Sequence, residues 1–367
     1  MSHTPPGTLP VANRHSVDVD RLAAWMSAHV EGFSGPLTVE QFRGGQSNPT
    51  YLLGTPSLRY VMRSKPAPAA QLLPSAHAIE REFRVMGALQ ATGLPVPQML
   101  AQCADESVLG RAFFIMAFIE GRVLWDQTLP DLDRAGRAAL YDEMNRVIAS
   151  LHAIDPNRVG LADYGRPGNY LARQIDRWSR QYRASETESI PAMDRLIEWL
   201  PGRIPARESV AIVHGDFRMD NLVFHPTEPR ILAVLDWELS TLGDPLADFS
   251  YHCLSWHIPP GRFRGIAGED IAALGIPSES EYVARYLERI GAARAHPAEG
   301  PSGVMADWNF YIAYNLFRLA AILQGIMKRH VEGIAASEQA AEAGSRARWL
   351  AETGWAIACR LESNRKG

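Results

Sequence analysis

An α+β chain with two lobes, a small one built on an antiparallel sheet and a larger, mostly helical one, is the fold class the sequence predicts. Three observations carry this expectation. Short β-prone runs broken by Gly- and Pro-bearing turns fill the first third, and apolar residues recur at helical spacing through most of the remainder. The 367 residues also leave room for two cores with a cleft between them, at roughly 100 to 200 residues per domain. The first lobe is expected over residues 1–120 and the second over 121–367, with a hinge at 116–121.

Leu22, Ala23, Trp25, Met26 and Val30 share a helical face behind Asp18 or Asp20 as a cap, which predicts a leading helix within 17–30. The period then changes. Residues 37–42, 50–53 and 58–62 are β-prone and separated by Gly-Gly and by Gly-Thr-Pro-Ser, so three antiparallel strands are expected. Ile79, Phe83, Met86 and Leu89 form an apolar stripe on a helix over 76–91, which stops before Gly93, Pro95 and Pro97. A buried strand over 112–119 ends at Glu120-Gly121 and completes the first lobe. Beyond the hinge, Leu140, Met144, Val147, Ile148 and Leu151 line one face of a core helix, and 169–185 is another. Three strands, 210–213, 222–224 and 231–235, interrupt the helices, which resume to the C-terminus. There is no internal repeat and no low-complexity tract.

With 46% hydrophobic and 21% charged residues, the chain has the balance of an ordinary soluble domain and not of a disordered one. A net charge of -4 supplies no positive field for a polyanion, so nucleic acid is not expected as a partner. Cys103, Cys253 and Cys359 are distant and odd in number, which argues against a disulfide framework and for a reducing cytoplasm. The first fifteen residues hold three prolines and no apolar run, and no later stretch reads as apolar for the eighteen or so residues a membrane span needs. Neither a secretory signal nor a membrane is therefore expected.

The chemistry concentrates in Val213-His214-Gly215-Asp216-Phe217-Arg218-Met219-Asp220-Asn221-Leu222, a polar loop between two β-prone runs, followed by Val234-Leu235-Asp236-Trp237-Glu238. Phosphoryl transfer needs a carboxylate to orient the attacking hydroxyl and oxygen ligands to hold magnesium on the ATP phosphates. Asp216 suits the first task, and Asn221 and Asp236 suit the second. Asp216 to Asn221 has the H-x-D-x-x-x-x-N spacing of a kinase catalytic loop, and Asp236 stands where the metal-binding Asp follows the next hairpin. Only a short segment leads from Asp236 to Gly243-Asp244-Pro245-Leu246-Ala247-Asp248, which leaves no room for a protein kinase's activation segment. Asp248 either ties down the catalytic loop's backbone or is a carboxylate favoured by a helix N-terminus; the sequence leaves both open.

In the first lobe, Gly44, Gly45, Gln46, Ser47 and Asn48 lie between two strands, where small residues let backbone N–H groups approach ATP phosphates. The Walker pattern G-x-x-x-x-G-K is absent, which excludes a P-loop. A kinase also needs a cation on its third strand paired with an acid on the next helix. The candidates are Arg63 or Lys65 with Glu82, and strand register favours Arg63.

With these residues placed, the chain resembles the aminoglycoside phosphotransferase and choline kinase superfamily over nearly its whole length, through Gly-Gly-Gln-Ser-Asn, Glu80-Arg81-Glu82, His214-Gly215-Asp216 to Asn221, and Asp236. Ser75-Ala76-His77, Leu94-Pro95-Val96-Pro97, the run from Leu235 to Asp248 and Phe317-Arg318-Leu319-Ala320 resemble more closely the kinase-like domain of acyl-CoA dehydrogenase family members ten and eleven. The resemblance implies a protein-kinase-like two-lobed fold using ATP and magnesium. It implies Asp216 as catalytic base, Asn221 and Asp236 as metal ligands, and adenine held at the hinge by backbone groups of Ala117, Phe118 and Ile119, with Met116 in the same cofactor-binding stretch. Arg63 stands where antibiotic-modifying members carry Lys. For the acceptor it implies a small-molecule hydroxyl, with a hydroxy acid or its CoA ester ahead of an aminoglycoside or choline. A catalytically silent, nucleotide-binding pseudokinase is the alternative; the residue at position 63 favours it and the complete carboxylate set opposes it.

Arg173, Arg177 and Arg180 recur at helical spacing where such proteins place substrate-capping helices, so they are candidates for an anionic acceptor, against the reading of a solvated helix face. His252 and His257 flank Cys253 without a fourth ligand at suitable spacing and read as packing. Phe310, Tyr311, Tyr314, Phe317 and Leu319 read as core, with Tyr314 or Arg318 available to face the cleft.

Overall fold

The computed structural model of the chain describes residues 7–9, 11, 16–42, 48–66, 79–166, 168–206, 209–294, 301–333 and 340–366. In chain order its elements are β1 (Thr8–Leu9), α1 (Val19–His29), β2 (Thr38–Phe42), β3 (Thr50–Gly54), β4 (Arg59–Ser64), α2 (Ile79–Gln90), β5 (Met99–Cys103), α3 (Glu106–Leu109) and β6 (Phe113–Ala117). There follow α4 (Arg134–Ala153), α5 (Tyr170–Ser185), α6 (Pro191–Trp199), β7 (Ala211–Val213), β8 (Leu222–Phe224), β9 (Ile231–Val234) and β10 (Thr241–Gly243). Helices α7 (Pro245–His252), α8 (Ile271–Leu274), α9 (Glu279–Arg294), α10 (Pro301–Val331), α11 (Ala340–Ser345) and α12 (Ala347–Lys366) complete the chain. They fall into two compact units. One comprises 1–125, 159–161 and 218–240, the other 126–158, 162–217 and 241–367.

The first unit is an antiparallel sheet in the order β1-β2-β3-β4-β6-β5. Side chains alternate across it. Tyr51, Leu53, Tyr60, Met62, Phe113 and Ile115 face Leu22 and Met26 of α1 and form a buried core. Asp18 starts α1 by accepting the Arg21 N–H at 3.0 Å. The three strands expected between 37 and 62 are present, and 99–103 adds a further strand that the residues after Pro95 and Pro97 do not signal. Residues 218–240, expected with the later region, pack with the first unit. The reason is backbone hydrogen bonding: Arg122 and Phe224 exchange N–H···O bonds at 2.7 and 2.8 Å, and the Val234 N–H donates to Pro95 O at 2.8 Å.

The second unit is helical around α10, which packs against α5, α7, α11 and α12. Phe310, Tyr311, Tyr314 and Phe317 are buried there, each worth about 1.5 to 3 kcal/mol of transfer free energy on the usual scale. The expectation that no stretch is long and apolar enough to cross a membrane needs correction. Among the described residues, Val304–Val331 meets that criterion, but 83% of its apolar window is buried inside the structure, as in the core helix of a folded domain.

Candidate active site

In the first unit the face of the sheet opposite α1 carries the chemistry. β4 alternates so that Tyr60 and Met62 face the core while Val61 and Arg63 face the other way, and register sets Arg63 opposite Thr50 on β3 and Phe114 on β6. This face borders a cavity of about 290 Å³. Its apolar lining includes Val61, Met86, Met116, Val223 and Leu235, and its polar part includes Arg63, Glu82, Asp220, Asn221 and Asp236.

Arg63 is buried and shared among three carboxylates. Its guanidinium reaches Glu82 at 2.9 Å, Asp236 at 3.0 Å and Glu238 at 3.1 Å. Burial acts to lower its pKa, but the three carboxylates outweigh that and raise it. Burial pushes Glu82 up to about 7, with Asp236 and Glu238 adding to the rise and Arg63 opposing it. Burial is the main cause of the rise, and the negative excess of three acids around one cation adds to it. Arg63 and not Lys65 pairs with Glu82; Lys65 pairs with Glu80 nearer the surface. Gly44, Gly45, Gln46 and Ser47, expected to cradle phosphates, lie outside the described residues. Asn48 is buried and donates its side-chain amide to Glu82 at 3.1 Å, so that side chain serves the ion pair.

Asn221 and Asp236 come together across the β8–β9 hairpin, where Leu222 pairs with Val234 and the Leu235 N–H donates to Asn221 O at 2.8 Å. Asp236 has φ +65°, a left-handed conformation that Asp tolerates better than most residues and that is often stored at functional positions. The buried Trp237 anchors it by donating its indole N–H to Val234 O at 2.9 Å. Glu238, which carries no motif of its own, joins the same cluster through Arg63 at 3.1 Å. Its only local signal is its place two residues after Asp236. Residues 116–121, expected as a hinge, lie within the first unit; there the Ala117 N–H donates to Gln98 O at 2.9 Å and the Phe118 N–H to Arg59 O at 3.4 Å, while Met116, Ala117, Phe118 and Ile119 all border the cavity.

In the second unit, β7 pairs with β10 and delivers the loop His214-Gly215-Asp216. Asp248, in the first turn of α7, accepts the His214 N–H at 2.7 Å and the Gly215 N–H at 2.8 Å. Asp248 therefore pins the loop's backbone, while Asp244 and not Asp248 caps α7, accepting the Leu246 N–H at 2.8 Å. His152 of α4 meets the same carboxylate through Nε2 at 3.1 Å and Tyr286 through Nδ1 at 2.7 Å. Burial would raise the Asp248 pKa, but the His152 hydrogen bond, the His152 and His214 charges and the His214 N–H hold it below the ordinary range. His214 Nδ1 accepts the Asp216 N–H at 3.2 Å, so its ring locks the turn. Asp216 itself is partly exposed. No sequence pattern signals His152, 96 residues from Asp248.

Arg173 donates to the carbonyls of Arg166 and Gly168, and Arg180 pairs with Asp176 on the surface; Arg177 is also exposed, with its guanidinium beside the Trp178 ring at 5.1 Å. His252 bonds the Tyr282 hydroxyl at 2.8 Å and burial lowers its pKa to about 4; His257 bonds Glu279 at 2.8 Å. Both are packing residues.

A family model described as "Phosphotransferase enzyme family" matches residues 38–302. Among curated proteins, mouse acyl-CoA dehydrogenase family member 10 is 44% identical over 356 residues, covering 96% of this chain and 32% of that protein. The chain thus spans about a third of that relative's length. Among solved structures, a protein of Ralstonia eutropha JMP134, provisionally assigned as an aminoglycoside phosphotransferase, is 60% identical with a TM-score of 0.84, covering 94% of this chain and 99% of that one. A thermostable aminoglycoside phosphotransferase mutant crystallised with ADP and hygromycin B is 14% identical with a TM-score of 0.56, covering 91% and 97%, a likeness of fold.

Proposed function

Since the chain belongs to the phosphotransferase enzyme family, we propose that it transfers the γ-phosphoryl group of ATP, with magnesium, to a hydroxyl of a small molecule. One observation carries this reading: a mostly apolar cavity whose polar part gathers a buried guanidinium and two oxygen-bearing side chains, Asn221 and Asp236. Those oxygens suit a hard cation such as magnesium, which needs only one or two protein ligands because it keeps waters and phosphate oxygens. When bound, magnesium would neutralise charge on the phosphates. Asp236 engages Arg63 through Oδ1, which leaves Oδ2 for the metal. Arg63, held by Glu82, serves the phosphates, and the apolar lining with the Ile119 segment serves the adenine ring.

In the proposed reaction Asp216 orients the acceptor hydroxyl and takes its proton as the oxygen attacks the γ-phosphorus; the bond from phosphorus to the bridging oxygen breaks and ADP leaves. For the acceptor, the likeness to acyl-CoA dehydrogenase family members supports a hydroxy acid or hydroxyacyl-CoA, and the exposed Arg177 suits such an anion.

The test is Asp216→Asn, assayed by mass spectrometry for phosphorylated products in a metabolite and acyl-CoA library. Nucleotide affinity should stay within about twofold while turnover falls by a factor of 100 or more, on the order expected for loss of a positioned base. Equal turnover in the variant would remove Asp216 from that role. Binding of magnesium-ATP by the wild type with no product from any pool would favour a pseudokinase.

A further inference from the structure

Arg318 lies in the middle of α10, is 93% buried, and has no carboxylate within ion-pair distance among the described residues. A buried guanidinium without an acidic partner is costly to keep unless its position is used. Its one strong hydrogen bond goes from Nη2 to the carbonyl of Gly215 at 2.6 Å. The rings of Tyr251, at 4.9 Å, and Trp178, at 5.8 Å, hold the guanidinium plane. Burial acts to lower its pKa, and Tyr314, Tyr170, Tyr251 and Asp216 outweigh that and raise it.

Gly215 is buried with φ +83°, and the residue after it is Asp216. Asp248 already takes the N–H groups of His214 and Gly215. The Gly215 carbonyl is the remaining polar group of the peptide that leads into Asp216, and Arg318 takes it. A charge-assisted bond is about twice as strong as a neutral one, so this is a firm clamp. Displacing a reacting group by about 1 Å can cost on the order of 100-fold in rate.

We propose that Arg318 is a positioning residue of the phosphotransfer site, which aims Asp216 by fixing the Gly215 carbonyl. The proposal rests on the role given to Asp216 above. It predicts that Arg318 and Asp216 act as one unit.

The experiment measures magnesium-dependent ATP hydrolysis, with water as the acceptor, for the full chain and for Arg318→Met, Arg318→Lys, Asp216→Asn and the Asp216→Asn/Arg318→Met pair. Rates are normalised to nucleotide sites counted by calorimetry, so a misfolded fraction does not count. Arg318→Met should lower kcat roughly 10- to 100-fold with KM for ATP within about twofold, and Arg318→Lys should fall between it and wild type. In the Asp216→Asn background Arg318→Met should lower kcat no further. A kcat per site equal to wild type, or losses that multiply in the pair, would make Arg318 a scaffold residue only and overturn the proposal. A wild type that binds ATP yet neither hydrolyses it nor phosphorylates any compound of the metabolite and acyl-CoA library would instead overturn the phosphotransfer reading itself, and this proposal with it.

Discussion

Arg63→Met isolates the physics of the buried carboxylate cluster. Glu82 is nearly inaccessible, and its pKa of about 7 lies above its ordinary value of 4.5. A raised carboxyl pKa means that the folded state binds more protons than the unfolded one, so the stabilising contribution is full below pH 4.5 and is lost as the pH rises through 7. At about 1.4 kcal/mol per pH unit, that window is worth about 3 kcal/mol in the wild type. Methionine keeps the volume of Arg63 but not its charge, and Glu82 would then hold its proton to much higher pH. Near pH 6 the Glu82 carboxyl is mostly neutral in both proteins, so its titration contributes almost nothing to the difference, and the loss of Arg63 from Asp236 and Glu238 is common to every pH tested. At pH 9 the variant must keep a proton that the wild type has shed, which adds up to about 3 kcal/mol of destabilisation. Lost hydrogen bonds add a pH-independent loss of about 1 to 2 kcal/mol. Urea unfolding of both proteins at pH 6, 7.5 and 9, repeated in a Glu82→Gln background, reads the increment. A difference between wild type and Arg63→Met that stays flat with pH, or that persists unchanged in Glu82→Gln, would refute the reasoning.

Asp236→Ala should weaken magnesium-nucleotide binding at least tenfold by titration calorimetry while metal-free nucleotide binds nearly as before; an unaltered magnesium requirement would place the metal elsewhere. Asp248→Asn replaces one acceptor oxygen with an amide donor that faces a backbone N–H, and should cost about 2 to 3 kcal/mol in chemical denaturation along with most of the turnover. Full turnover at unchanged stability would show that the loop does not depend on Asp248. A Cβ on Gly121 would sit 2.4 Å from Phe224 O and 2.6 Å from Val223 Cγ1, so Gly121→Ala should lower stability by about 1 to 3 kcal/mol and loosen nucleotide binding. A thermal scan with no shift would mean that the β8 backbone yields freely.

The parts of this protein that were legible in its sequence are those with a local period or a fixed spacing. Strand alternation in Tyr60-Val61-Met62-Arg63 was enough to put Arg63 on the face away from the α1 core, because a one-residue shift would have sent it inward; Lys65 has the same parity, and what separates the two is that β4 ends at Ser64, which leaves Lys65 beyond the strand with Glu80. The order of Asp216, Asn221 and Asp236 was readable because one loop and one hairpin carry all three. Burial of α10 was readable from helical spacing, which does not by itself separate an apolar core helix from a membrane span.

Local pattern thus specifies the fold class, the main elements of the sheet and helices, and the chemical types in the motifs. Tertiary structure decided who meets whom. That Arg63 serves Asp236 and Glu238 across 173 and 175 residues, that Asn48 turns to Glu82, and that His152 and Arg318 reach the loop before Asp216 all follow from long-range packing. The physical reason is that a charge or a backbone dipole removed from water must find a partner wherever the chain brings one, and distance along the sequence does not enter that energy.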